Sequence, residues 1–270
     1  MSQVMSSLVL AFAFALVSLA PAAAFAAGGS MEEVLDCVLK SLPPSVHGKF
    51  VLTHTHADGK AQVINGEYWS ESPEDSGRRV VVASTGGPAE ARAAYLFREG
   101  DTIGQAWRWT PKMTTAQRIE SKGSDDELFG TDVTLEDFAR FARINFPGKL
   151  RRLDDAEIGG RSVFMVETTP APDAGSDYSK LISAIDKGWC VVVRRESFET
   201  AFEGGAKPNK VMTVDAKDVK VDQGFARVTS ALLSDMRDGS TTRAQLQDLS
   251  LDAKLPADFF TPEKLAQAVK

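Results

Sequence analysis

Past residue 44 the chain reads as short runs in which apolar and polar positions alternate. Such alternation puts successive side chains on opposite faces of a strand. The first runs cover residues 48–56, 62–70, 78–84, 93–98, 102–110 and 116–120, punctuated by Asp58-Gly59, Gly86-Gly87-Pro88 and Gly100-Asp101. A second series covers 149–156, 161–168, 189–198, 210–214, 225–236 and 241–251, giving about eleven strands, within the size of one curved sheet. Runs joined by tight turns predict an antiparallel meander that curls into a barrel or half-barrel.

Helical spacing is confined to a few places. Met31, Val34, Leu35, Val38 and Leu39 recur at helical intervals before Pro43-Pro44 ends the pattern. Thr134 stands three residues before Asp137 ahead of Phe138 and Phe141, the pattern of a capping box opening an apolar helix. Residues 178–185 are read as a helical turn and 262–269 as a short final helix. The fold class is mainly β with a few helices, α+β, in one domain spanning 27–270.

Residues 6–24 are almost unbroken apolar, and Ala24-Phe25-Ala26 supplies a small-x-small cleavage pattern, so 1–26 is expected to be a secretory signal peptide, although Met1 to Ser7 contains no Lys or Arg. The composition of the full chain is that of an ordinary soluble protein, 43% hydrophobic and 25% charged. The net charge of −6 disfavours nucleic acid, which needs a basic face. Cys37 and Cys190 are the two thiols, and in an oxidising compartment an even pair predicts a disulfide joining the first helix to a central strand; two buried free thiols are the alternative.

The stretch from Trp107 to Asp137 carries the most specific signal. Trp107 and Trp109 share a strand face, Pro111 ends the strand, Arg118-Ile119 return, and Phe129-Gly130-Thr131-Asp132 turns into the helix bearing Glu136 and Asp137. This order resembles the outer-membrane lipoprotein-sorting proteins with a LolA-like fold, in the subgroup associated with inner-membrane RND-type lipid exporters. That subgroup carries W-x-Y-x-P, then R-R-I, then F-M-G-S-D-F-S-Y-E-D; here Trp109 replaces the tyrosine, Gln117 the first basic residue, and Val133 and Leu135 two aromatics.

The resemblance implies a periplasmic carrier that binds acyl chains of a lipoprotein or lipid in a hydrophobic cavity and moves them from the inner towards the outer membrane. Its partners would be that cargo, an inner-membrane RND-type exporter and an outer-membrane acceptor, with only transient membrane contact. Strand parity groups Phe50 with Leu52, Tyr95 with Phe97, Trp107 with Trp109, Phe164 with Val166, Trp189 with Val191, and Met212 with Val214. Parity leaves core and cavity lining equally open, and the resemblance favours lining. Phe50, Leu52, Tyr95, Phe97, Trp107, Trp109, Phe129, Phe164, Trp189, Val191 and Met212 are therefore the expected lipid-binding residues. Gly130, Thr131, Asp132, Glu136 and Asp137 form the turn and helix cap.

Other chemistry has little support. His54 and His56 share a strand face and His47 is near, but no third ligand stands at metal spacing, so partly exposed strand histidines are expected. Asp125, Asp126, Glu127, Asp132, Glu136 and Asp137 lack the order of a calcium loop, and capping with helix-dipole charge is the reading adopted. No nucleophile with a base, phosphate loop or dinucleotide fingerprint is present, so no catalysis, cofactor or metal is expected. The alternatives are a sensor of mislocalised lipoproteins related to RseB and an interaction protein with a dry core. With the disulfide holding the first helix, residues 132–146 would be the lid.

Overall fold

The computed structural model describes residues 29–73, 77–99, 105–119, 126–143, 147–251, 253, 255–256 and 258–269. The expected signal peptide, Gly100-Asp101, Glu120 and Asp125 lie outside these residues.

Two series of strands start from one pairing in the middle of the chain's sheet and run outwards. The first comprises β1 (Ser45–Thr55), β2 (Ala61–Glu71), β3 (Arg79–Gly86), β4 (Ala94–Arg98), β5 (Gln105–Trp109) and β6 (Gln117–Arg118). The second comprises β7 (Gly148–Ile158), β8 (Arg161–Pro170), β9 (Lys180–Asp186), β10 (Val192–Phe198) and β11 (Lys210–Thr213). It continues through a small hairpin, β12 (Val219–Asp222) and β13 (Phe225–Val228), to β14 (Ser230–Asp235) and β15 (Thr241–Ser250). β15 pairs antiparallel with β1, so 13 strands join in the order β6-β5-β4-β3-β2-β1-β15-β14-β11-β10-β9-β8-β7. The result is one large curved antiparallel sheet, a half-barrel.

Turn chemistry explains the tight connections. Gly159 and Gly160, at φ 57° and 75°, join β7 to β8, the paired left-handed geometry whose twist suits a two-residue hairpin. The edges are protected by composition: β6 is two residues long, and β7 is mostly exposed with Lys149, Arg151 and Arg152 along it.

Each face of the sheet is covered. On the concave face, Phe50, Leu52, Ile64, Tyr68, Val80, Val82, Tyr95 and Phe97 form a core with Phe129 and Phe138. On the convex face, Trp69, Val81, Ala83, Ala94 and Leu96 pack against Phe260, Leu265 and Val269 of the C-terminal segment. α1 (Met31–Lys40), capped by Ser30, buries Val34 against Phe164, Val166 and Ile185. α2 (Leu135–Phe141) lies over the concave face with Leu135, Phe138 and Ala139 buried.

Four expectations change. Residues 180–186 are strand β9, not a helical turn: this central strand, buried on both faces towards its end, lacks the alternation that would have marked it. The strand expected from residue 189 starts at Val192, because 187–190 form a turn that ends with Cys190 at φ 58°. The expected 225–236 strand divides into β13 and β14, and β12 is an additional partner for β13. The final helix is a short 3-10 turn, Pro262–Gln267.

Candidate functional site

Strand register builds the inner wall. Phe50 stands opposite Leu246, Leu52 opposite Ala244, and His54 opposite Thr242. The row continues outwards from Thr242 to Leu233, Met212 and Arg195 on successive strands. Phe129 and Phe138 close over this wall from the α2 side, leaving an apolar cavity of about 80 Å³ that Phe50, Leu52, Phe129, Phe138, Met212 and Leu233 help to line. Next to it, and sharing Tyr68, Phe141, Arg195 and Met212 as common walls, is a space of about 110 Å³. That space in turn shares Leu42, Arg78, Arg143, Val192 and Arg195 with a third, of about 450 Å³, roofed by α1. The last volume lies in the range of sites for drug-sized ligands, roughly 300–1,000 Å³.

The turn into α2 is unusual. Phe129 adopts φ 58°, ψ 23°, a conformation that bulky side chains avoid, and Gly130 follows at φ 69°. This geometry aims the Phe129 ring into the wall, 5.7 Å from Phe50 and 5.4 Å from Tyr95, centroid to centroid. Thr131 Oγ1 donates to the Leu128 carbonyl and accepts from Val133, fixing the turn. Thr134 and Asp137 form the capping box, each side chain accepting from the other's backbone amide.

Below the helix is a buried polar network that the sequence pattern did not announce. Lys210, only 2% exposed, donates to the Asp132 carbonyl at 2.6 Å and to Asp137 Oδ2 at 3.0 Å. Tyr178 Oη donates to Asp137 Oδ1 at 2.6 Å. Burial alone would raise the Asp137 carboxyl, but the Lys210 ammonium and the Tyr178 hydroxyl outweigh it and hold the group below its ordinary value. The Tyr178 hydroxyl is pushed well up by burial and by the adjacent carboxylate. Glu136, also buried, accepts from Arg140, from Ser176 Oγ and from the Asp177 amide.

Asp132 plays a different part from helix capping. Its carboxylate accepts from Ser240 Oγ and from Thr242 Oγ1 at 2.8 Å, and meets His54 Nδ1 at 3.1 Å. It joins the turn to β15 and β1. His54 is correspondingly buried rather than partly exposed, while His56, whose Nδ1 lies 3.2 Å from His54 Nε2, is exposed. His47 is on the opposite face, stacked on Trp69. Among the described residues, no three His, Cys, Asp or Glu side chains are grouped to hold a metal ion.

The expected lining residues divide between the two faces. Phe50, Leu52, Phe129 and Met212 line the first cavity. Tyr95 and Phe97 are on the concave face but packed behind it, Phe97 against Phe138 at 5.0 Å. Phe164 is concave too, beneath α1, with the Arg152 and Lys187 cations over its ring. Trp107 and Trp109 point away from the cavity: they stand opposite Leu96 and Ala94 and join the convex cluster under the C-terminal segment. Trp189 packs on the far face with Val163 and Ala184, Arg161 over its indole, while Val191 belongs to the same cluster but also lines the second space. Strand parity does not say which face is concave, and past a strand end it fails: Met212 lines the first cavity while Val214, beyond the end of β11, packs in the far-face cluster.

Cys37 and Cys190 form the disulfide, with Cα atoms 5.2 Å apart, although Cys190 lies in the β9–β10 turn rather than within a strand. Ser41 Oγ donates to the Cys190 carbonyl and Arg143 donates to the Val38 carbonyl, so three ties hold α1 down. Arg78, Arg140, Arg143 and Arg195 all line the largest space. Only Arg140 and Arg143, three apart next to α2, left a helical spacing to notice; Arg78 and Arg195 are ordinary strand positions in the sequence.

A family model described as "Uncharacterized protein"-like matches residues 78–267, most of the chain, including the turn, α2, the Lys210–Asp137 pair and the part of the inner wall built by β10, β11, β14 and β15, but not β1 with Phe50, Leu52 and His54. The chain belongs to that family. No curated protein matches it in sequence. Among solved structures it is similar to a DUF1329 family protein from Desulfovibrio piger, with TM-score 0.76 and 15% identity over 87% of this chain and 96% of that one. It is also similar to a structure described as an outer membrane lipoprotein-sorting protein domain from Vibrio parahaemolyticus, with TM-score 0.72 and 18% identity over 85% and 95%. A LolA superfamily protein from Nitrosomonas europaea gives TM-score 0.65 and 16% identity over 87% and 98%. At such identities the likeness establishes a LolA-like fold for this family member.

Proposed function

We propose that this protein is a carrier of acyl-bearing lipids or lipoproteins, working in the periplasm after secretion and moving its cargo from the inner towards the outer membrane. The observation that carries the reading is the apolar cavity between the inner wall and α2, which adjoins, through shared wall residues, the larger space under α1. Burying an acyl chain there gains roughly 0.8 kcal/mol per methylene withdrawn from water. The LolA-like fold supports the same reading, as does the description of the Vibrio parahaemolyticus structure as a lipoprotein-sorting domain. Among the described residues, no helix is long and apolar enough to cross a membrane.

In this reading the protein is a binder and not an enzyme. Its partners are the cargo, an inner-membrane exporter of the RND type and an outer-membrane acceptor. Filling the cavity is the direct test. Ala231 lines it from β14, so Ala231→Phe should retain the fold by circular dichroism while lowering retention of a radiolabelled acyl lipid at least tenfold. Undiminished retention in the folded variant would contradict the proposal.

A further inference from the structure

The largest space is not lined like an ordinary acyl pocket. Arg78, Arg140, Arg143 and Arg195 converge on it from β3's start, from α2 and its C-terminal end, and from β10. Their acceptors are mostly neutral. Arg78 donates to Ser72 Oγ at 2.7 Å and Ser70 Oγ at 3.1 Å, while its Nε is buried with no hydrogen-bond partner among the described residues. Arg143 donates to the Val38 carbonyl at 3.1 Å and to Ser41 Oγ at 2.6 Å. Arg195 donates to Ser183 Oγ at 3.3 Å. Of the nearby carboxylates, Glu136 is held by Arg140, Asp137, which faces Arg195, is held by Lys210 and Tyr178, and Glu99 accepts from the Arg78 amide at 2.9 Å.

Guanidinium groups withdrawn from water without matching anions are costly. Arg195 shows it: burial first, then repulsion from Arg140, brings its guanidinium down to about 10. Arg143 is likewise brought down to about 10, by burial and then by Arg78. A fold that only needed a dry core would place apolar side chains here. Planar guanidinium forks instead match the paired oxygens of a phosphate or carboxylate. Arg195 also borders the apolar cavity, so the cationic and apolar spaces meet at one side chain.

We propose that the space under α1 seats the anionic head of the cargo, a phosphate or carboxylate, between Arg78, Arg143 and Arg195, while its chain runs into the cavity lined by Phe50, Leu52 and Phe138. This rests on the carrier reading and adds the charge of the ligand. A lipid headgroup is the source it commits to, since the chain site adjoins the cationic one.

The test uses the full chain stripped of lipid and three probes: a monoacylglycerol phosphate, the monoacylglycerol of equal chain length, and inorganic phosphate. Displacement of a fluorescent fatty-acid probe should show the phosphate-bearing amphiphile binding at least tenfold more tightly than its neutral counterpart. Arg195→Met should reduce that ratio below threefold. Arg143→Gln should act in the same direction, and is the second variant should Arg195→Met fail to fold. Equal affinity for the two amphiphiles would overturn the inference and leave the carrier reading standing. Binding of inorganic phosphate without either amphiphile would overturn both, pointing to a site for a free anion. A preference that survives in both folded variants would also overturn the role given to the arginines.

Discussion

Lys210 shows most plainly how a single side chain commits this fold. It is one of the largest fully buried side chains, and its ammonium bridges the turn at Asp132 to the helix at Asp137. Removing one partner of a buried pair leaves the other charge uncompensated, at about 3–5 kcal/mol. Lys210→Met is therefore expected to lower unfolding free energy by about that amount in urea titrations, and Lys210→Met with Asp137→Leu to recover part of the loss; a single variant as stable as the parent would show that the pair does not hold α2. Nothing in the sequence marks Lys210, because a lysine beginning a short strand is normally solvated. Thr134 and Asp137 were legible because a capping box depends on local spacing, whereas their long-range partners depend on strand order. Asp132 illustrates the difference: it is adjacent to the cap in sequence, yet its partners are residues 240 and 242 and His54.

At the scale of elements, both helices over the concave face are tied down, by different chemistry. α1 is held by the Cys37–Cys190 bond, across a separation of 153 residues, which in the chain-entropy account restricts the unfolded chain by about 4–5 kcal/mol. α2 is held by the Asp137–Lys210 pair and by Glu136. The expectation that residues 132–146 form the lid rested on α1 alone being pinned; the clamp on α2 removes that reason for preferring it, and residues 144–146 lie outside the described chain. The clamp has a definite pH dependence. The Asp137 carboxyl is held below the usual aspartate value, so the stability it contributes is present above that value and is lost as pH falls through the lower folded-state value. Stability curves of the parent and Asp137→Asn should thus differ by a constant amount from pH 5 to 7 and converge only below about pH 4. Convergence already at pH 6 would assign the clamp to another group. The meander, its tight turns and both helix positions were readable from alternation and turn residues. β9 and the β12–β13 hairpin were not, the first because it is buried on both faces towards its end and the second because four-residue strands carry too little pattern.

For the whole molecule, closure of two strand series through the β1–β15 pair creates one concave face and one convex face, and function depends on which side chains fall on each. Phe50, Leu52 and Met212 line the first cavity, and sequence parity could not separate them from Trp107, Trp109 and Trp189, which belong to far-face clusters. The order of features resembling lipoprotein-sorting proteins was enough to indicate the half-barrel, while the arginines under α1 emerged only when distant strands came together. The central claim is that the concave space carries an acyl-bearing cargo. Native mass spectrometry of the protein purified without detergent from its own cell envelope, followed by organic extraction of the bound material, tests it most directly. The account predicts a near-stoichiometric mass increment that extracts as an acyl lipid or lipoprotein; a bare polypeptide mass that stays bare after incubation with envelope lipids and lipoproteins would contradict it.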